Sequence, residues 1–394
     1  MVHAKKLELM LFLSFIVFPF GQLFKIGSVS LLDILVALFV VISFFNTKIK
    51  IDRHLLALFF VFGFSLVFGG LYLKLNIATG FLYFGRLITY LLFAVFLRQF
   101  VFNYVDKEEI KKRLVNFIFV GLVAIAIFGW LQYFLYPDFR PFFAFGWDDH
   151  LYRLIGSFLD PGFTSIFLVF GALISLVSWK TTKNKWYLLS LVFFVVTLIF
   201  TYSRAGYLAL LVSSVYLIIK DKAYSYVIYL FSFMSIVFLG LGIFSSFKVS
   251  EGTNLLRTYS ITQRIISSQS GIKIFSNSPL FGIGYNNVCE YKNKYLGDTN
   301  TQSHACSGLD NSIVFVLATT GFFGLLSLIK LISLVYLNTA DNWYGQIFSA
   351  SGIALLVHSQ FNNSIFYSFC LFVLGVMYAI SRKKSLKLFR ETDK

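Results

Sequence analysis

The sequence predicts an all-α, polytopic membrane protein, and three observations carry that prediction. The chain of 394 residues is 58% hydrophobic and 13% charged, with a mean hydropathy of +0.77. Apolar stretches of membrane-spanning length recur from end to end, where a soluble domain would alternate polar and apolar faces far more often. The 34 Lys and Arg residues are also spread unevenly, gathering in alternate connecting segments. The expected architecture is one integral-membrane domain over residues 1–394. It has about twelve transmembrane helices and one large outer loop containing a surface helix.

The spans are expected near 7–24, 29–45, 54–72, 77–97, 114–136, 161–179, 186–201, 205–219, 224–245, 310–337, 343–360 and 364–380. Lys5 and Lys6 give the first the basic flank of a signal peptide. Phe18-Pro19-Phe20-Gly21 offers no small-residue cleavage site, so this span is read as retained. The stretch from Trp186 to Ile219 is the most informative. A single helix of that length would run about 51 Å, against a hydrocarbon core of about 30 Å. It is therefore expected to break at Tyr202-Ser203-Arg204, which leaves Arg204 at the membrane surface with no acidic residue between Lys180 and Asp221. A charge so placed is a functional candidate.

With the N-terminus inside, the inner segments hold 21 Lys and Arg and the outer ones 11, with Arg86 and Lys330 inside spans. The positive-inside rule then puts both termini in the cytoplasm. The net charge of +16 is thus a topology signal. The inner loops are too short for a nucleic-acid-binding domain, so no nucleic acid is expected as a partner. The 50 Phe and 22 Tyr read chiefly as lipid-facing bulk and interfacial belts.

Two outer segments are long enough to build a site: 137–160, with Trp147-Asp148-Asp149-His150 and Arg153, and about 246–309. A structureless loop of the second size is improbable unless functional. Its apolar Ile265, Ile266, Ile272 and Phe275, ending at Asn277-Ser278-Pro279, predict a helix along the membrane surface with Arg257 and Arg264 near its start. The outer face thus carries Arg153, Arg204, Arg257 and Arg264, with Lys248, Lys273, Lys292 and Lys294. Guanidinium forks suit a lipid-linked phosphate or pyrophosphate; binding of acidic headgroups is the plainer alternative.

A transfer reaction also needs a base. Asp310 opens a span and is either that base or a helix cap; His304 is a second candidate, and other acidic groups lie in the same loops. Asn311 and His358 are expected to line a cavity, although His358 packed by hydrogen bonds is an equal reading. Arg153 and Asp149 are expected to meet acceptor sugars. No metal is expected, because adjacent residues in Asp148-Asp149-His150 diverge too much to chelate one ion easily. No phosphate-binding loop, dinucleotide fingerprint or serine triad is recognisable, and no cofactor is expected. Cys289 and Cys306 share the large loop, and a bridge and free thiols are both compatible with their spacing.

Four segments carry a resemblance: Arg153-Leu154-Ile155-Gly156-Ser157-Phe158 with Asp160-Pro161-Gly162, Thr201-Tyr202-Ser203-Arg204-Ala205-Gly206, Arg264 through Pro279-Leu280-Phe281-Gly282-Ile283-Gly284-Tyr285, and Asp310-Asn311-Ser312 through Gly321-Phe322-Phe323-Gly324. In order and spacing they resemble the O-antigen ligase and polymerase superfamily of bacterial membrane glycosyltransferases. The resemblance implies transfer of a glycan from undecaprenyl pyrophosphate, without a nucleotide sugar, at the periplasmic face of the inner membrane; with no metal ligand set expected, the transfer is read as metal-independent. Arg204 and Arg264, with Arg257, would hold the pyrophosphate. Ligases of the family carry a histidine where this chain has Asp310, which favours a repeat-unit polymerase; His304 keeps the ligase alternative, transfer to lipid A-core, in play. The expected partners are the lipid-linked oligosaccharide, the bilayer and a chain-length regulator. A flippase also accounts for twelve spans, but not for a long outer loop with clustered arginines.

Overall fold

The computed structural model describes residues 2–47, 51–145, 147–222, 251–255, 257–297, 306 and 308–382. The fold is an all-α, multi-pass membrane protein. Its helices are α1 (Val2–Val17), α2 (Leu31–Asn46), α3 (Arg53–Leu71), α4 (Ala78–Asn103), α5 (Lys107–Leu135), α6 (Pro161–Thr182), α7 (Lys185–Ile199) and α8 (Arg204–Asp221). Then follow α9 (Tyr259–Asn277), the short α10 (Val288–Tyr291), α11 (Ser312–Leu337), α12 (Trp343–His358) and α13 (Ser368–Ile380). The sheet among the described residues is one hairpin pairing Lys25–Ile26 with Val29–Ser30. Among the described residues six helices are long and apolar enough to cross a membrane: Lys5–Leu23, which is α1 with a 3-10 continuation, and α3, α4, α5, α6 and α11. Eleven of the twelve expected spans coincide with a helix. The twelfth, 224–245, lies outside the described residues.

Boundaries follow local chemistry. Ser30 caps α2 in a reciprocal box with Asp33, Asp160 caps α6 ahead of Pro161, and Asn184, Ser203 and Asn342 cap α7, α8 and α12. Pro19 and Gly21 end the first span early: α1 stops at Val17, and Phe18–Leu23 continues as a tighter 3-10 turn. The last span likewise starts later than expected, at Ser368, because Gln360–Tyr367 form a turn. The predicted surface helix exists and is longer, beginning at Tyr259. Its exposed Ile261, Ile265, Ile266 and Ile272 give it an apolar outer side.

Helix α6 is the central pillar. It is buried over most of its circumference and packs against α5, α7, α8 and α12, as an all-round apolar helix must. At one end of the bundle Gln22 donates to Tyr367, Lys294 to the carbonyls of Leu73 and Lys74, and the Ser312 amide to Ser359 O. At the other end Tyr344 donates to Glu108, Lys220 pairs with Asp341, and the Ala340 amide reaches Ser381 O. Within the bundle Arg86 pairs with Asp33 at 3.2 Å, and Tyr90 donates to the same carboxylate, so the arginine inside a span has its counter-ion.

A second, smaller core joins α3, α9, α11 and the 279–291 segment around Phe62, Ile274, Ile283, Tyr285 and Phe315. There α11 is interrupted at Gly321, whose φ of 67° leaves the helix. The main chain of 279–284 lies in the gap. The amides of Ile283 and Gly284 donate to Ala318 O and Thr319 O, and the Phe322 amide donates to Pro279 O. Ser65 of α3 also donates to Thr319 O. Backbone groups released inside an apolar slab must find partners, and these supply them.

The crossing requires glycine at two positions. A Cβ on Gly282 would stand 2.3 Å from the Thr319 carbonyl carbon, and one on Gly321 2.3 Å from Leu280 O, both at positive φ. Gly282→Ala and Gly321→Ala are each expected to destabilise by roughly 3 kcal/mol, as left-handed strain and main-chain overlap combine. Gly297→Ala, at φ +66° in open space, should cost only about 1 kcal/mol. Thermal melts of the purified variants in detergent check the contrast.

Candidate functional site

The apolar run from Trp186 to Ile219 does split. Phe200–Ser203 form a tight turn in which Tyr202 takes a left-handed φ of 50°, and the Ser203 hydroxyl accepts from Gly206 N to start α8. Arg204 is the first residue of that helix, where the macrodipole disfavours a cation. Carbonyl and hydroxyl oxygens offset this. Its Nη1 donates to Leu255 O and Arg257 O, and its Nη2 to Ser260 Oγ at 2.7 Å. Arg257 answers by donating to Gly252 O, Asn254 O and Tyr202 O. Arg153, 8% exposed, donates twice to Thr201 O and once to Tyr202 O from beneath. Burial and the neighbouring Arg257 lower its pKa to about 9, so it stays protonated at neutral pH.

Three of the four arginines therefore lace main-chain carbonyls around one turn. Arg153, expected to meet acceptor sugars, is instead a buried brace. Arg257, expected to bind pyrophosphate, is committed to three carbonyls. Arg204 is engaged as well, but a guanidinium offers five N–H groups and three bonds leave some of them available.

Arg264 differs. It lies on α9 with its guanidinium 6.0 Å from the centre of the Phe361 ring, and among the described residues it makes no hydrogen bond or ion pair. Its charge reaches Arg153, Arg204, Asp310 and His358. Asp310 sits just before α11, with its amide donating to Ser267 Oγ of α9. The cap of α11 is the next residue: Asn311 Oδ1 accepts from the amides of Ile313 and Val314, while its Nδ2 reaches Gln360. Asn311, expected to line a cavity, is thus the cap that Asp310 was a candidate for, and the Asp310 carboxylate is left for other work. Burial raises its pKa above the usual carboxylate value, with Asp148 adding to the effect and Arg264 opposing it. Cys289 and Cys306 are bridged, which ties α10 to the residues just ahead of Leu309 and Asp310. The other candidate base, His304, lies outside the described residues.

His358 does not line an open cavity. It is fully buried: one ring nitrogen meets Ser364 Oγ and the other Gly162 O, both at 3.0 Å, and Asn362 and Ser165 complete the surround. With Nε2 protonated it donates to Gly162 and accepts from Ser364. Ser165 in turn meets the Ser203 hydroxyl, so this knot ties the heads of α6 and α8 to the tail of α12.

The 147–151 segment is extended, with the amides of Phe139 and Tyr152 donating to His150 O and Pro137 O. Alternation along an extended chain turns Asp148 and His150 to one side and Asp149 to the other. Asp149, the expected acceptor contact, is exposed. It is Asp148 whose charge is felt at both Asp160 and Asp310. The argument that adjacent residues diverge holds for 148 and 149. It misses 148 and 150, whose ligand atoms converge with Asp160 within 4.8 Å of one another. The carbonyl cage around Arg153 and Arg257 was also missed, since main-chain acceptors leave no mark in a sequence. Arg153→Lys, which removes the planar fork but keeps the charge, is expected to destabilise by about 2 kcal/mol, measured by thermal unfolding.

Residues 189–329 match the Wzy_C family model, described as O-antigen ligase. No curated protein matches the chain. The matched stretch holds the α7–α8 turn with Arg204, all of α9 with Arg264, the bridged loop, Asp310 and the break at Gly321. It is this stretch of the chain that is similar to the O-antigen ligase family.

Proposed function

We propose that this protein lengthens a surface polysaccharide by moving an oligosaccharide from a polyprenyl-pyrophosphate carrier onto the terminal sugar hydroxyl of a second carrier-linked unit. The observation that carries the reading is a half-buried Asp310 carboxylate that is not the helix cap, acted on by the charge of Arg264, a guanidinium with no hydrogen bond or ion pair among the described residues. As the acceptor oxygen bonds to the anomeric carbon, its proton passes to Asp310. The bond from that carbon to the pyrophosphate oxygen breaks with its electrons leaving on the oxygen. Arg264, with the remaining N–H groups of Arg204, stabilises the charge that develops there. A raised carboxyl pKa brings the base closer to the working pH. The carrier is undecaprenyl pyrophosphate, the site faces the periplasm, and a chain-length regulator is a natural partner for a polymerase in the inner membrane.

The ligase reading, transfer of the finished glycan to lipid A-core, is favoured by one observation: the matched family model carries the ligase description. Deleting the gene and resolving the surface glycan on a gel separates the two. A single repeat on core supports the polymerase; unattached polymer accumulating on carrier supports the ligase.

Arg264→Ala is expected to reduce transfer by about 10²–10³-fold without moving the melting temperature. Arg204→Ala should lose transfer and also about 2 kcal/mol of stability, because its bonds brace the 255–260 segment. Equal melting temperatures for the two variants would contradict this division of labour.

Asp310→Asn is expected to lower transfer by about 10²–10⁴-fold while leaving stability at neutral pH unchanged or higher. The sign follows from linkage. A carboxyl whose folded pKa is raised binds its proton more tightly when folded, so it contributes stability at low pH that is lost as pH rises through the unfolded and then the folded pKa. Asparagine keeps the neutral form at every pH. The acid limb of the wild-type rate profile should accordingly bend above the ordinary aspartate value of 3.8, as rates against pH on purified enzyme will show.

A further inference from the structure

The cluster of Asp148, His150 and Asp160 has no part in the transfer scheme, and three independent features mark it. First, one ligand atom from each lies within 4.8 Å of the others. Ligand atoms bound at about 2.1 Å around one tetrahedral ion stand about 3.4 Å apart, so side-chain shifts of roughly 1 Å complete the geometry. Second, His150 is 7% exposed, and among the described residues neither ring nitrogen has a hydrogen-bond partner. The Asp149 backbone approaches the ring without reaching hydrogen-bond geometry. A buried imidazole with both nitrogens idle forfeits its hydrogen-bonding capacity unless something else takes it up. Third, the two carboxylates face one another without a basic side chain in ion-pair contact among the described residues. Arg153, whose charge acts on Asp160, directs its N–H groups to Thr201 and Tyr202.

We propose that Asp148, His150 and Asp160 form a binding site for one divalent transition-metal cation, Zn²⁺ or Mn²⁺. Two carboxylates and one neutral imidazole are a ligand set these ions accept, and the nitrogen donor selects against Ca²⁺ and Mg²⁺. His150 is buried with both ring nitrogens unpartnered among the described residues, so one of them can ligate without giving up an existing hydrogen bond. A cation between Asp148 and Asp160 would offset the repulsion of two carboxylates whose ligand atoms lie within 4.8 Å. Asp160 also caps α6 through Oδ1, which accepts from Phe163 N. An ion here joins the 147–151 segment to the head of the central pillar. Its role is to hold Asp148 in place near Asp310; no bond-making step is assigned to it.

The test uses the full chain in detergent, stripped with EDTA and desalted, and is read without any glycan. ZnCl₂ alone and MnCl₂ alone are titrated, the first by calorimetry and the second by electron paramagnetic resonance. One equivalent should bind per chain and protect residues 147–151 from amide hydrogen exchange. Asp148→Asn should weaken binding at least about tenfold, as loss of a ligand does. Asp149→Asn, one residue away and turned outward, should bind like wild type. Asp148 is exposed, so its variant is expected to fold. His150→Gln is the second arm, scored only if its melting curve remains cooperative. No stoichiometric binding of either ion overturns the proposal, as does equal affinity of Asp148→Asn and wild type, or saturable binding of Ca²⁺ in preference to both. None of these outcomes bears on whether the enzyme is a polymerase or a ligase.

Discussion

Backbone amides and carbonyls inside an apolar slab have no water to turn to, and the interruption of α11 at Gly321 exposes several of them at once. The carbonyls of Ala318 and Thr319 are met by amides of the 279–284 segment and by Ser65 of α3. That exchange fixes the geometry on both sides of it. Residue 279 follows directly from α9, which carries Arg264, and Gly321 lies within the helix that Asp310 precedes. Close contact of the two main chains at Gly282 and Gly321 therefore sets where the guanidinium and the carboxylate stand relative to each other. The Cys289–Cys306 bridge adds a second, covalent constraint on the same loop.

Arginine does two kinds of work in this bundle. At Arg153, Arg204 and Arg257 the guanidinium fork satisfies carbonyls that the 200–203 turn and the 252–257 segment cannot pair with one another. Each brace touches an element distant in sequence, so the turn, the loop and the start of α9 are held as one body. Arg264 is held by no such bonds, and that difference gives it the charge available to a ligand. A cluster of arginines at one end of a membrane bundle is thus largely a scaffold, with Arg264 making no hydrogen bond or ion pair among the described residues.

Much of the fold was legible in the sequence. Apolar length located the spans, and the excess of the Trp186–Ile219 run over one membrane thickness located the turn at Arg204. Cap residues and Pro279 marked helix boundaries within a few positions. What misled were features where side-chain type underdetermines partner. Asp310 and Asn311 are both good caps, and only their geometry assigns the role to Asn311. His358 reads as a cavity histidine until Ser364 and Gly162 are seen to occupy both nitrogens. Asp148 and Asp149 are chemically identical in sequence, and the extended backbone alone decides which of them faces Asp160.

By itself the sequence determined the all-α membrane class, the position of most apolar helices and the break at Tyr202-Ser203-Arg204. These are local properties: hydrophobic length, helix rise and cap chemistry act over a few residues and survive translation into a string. Tertiary structure alone decided which arginines are spent on carbonyls, that Asn311 rather than Asp310 caps α11, that two cysteines are joined and that Asp148, His150 and Asp160 share one space. Each of those depends on segments tens to hundreds of residues apart meeting through main-chain groups, which every sequence contains at every position and which therefore announce nothing until the chain is folded.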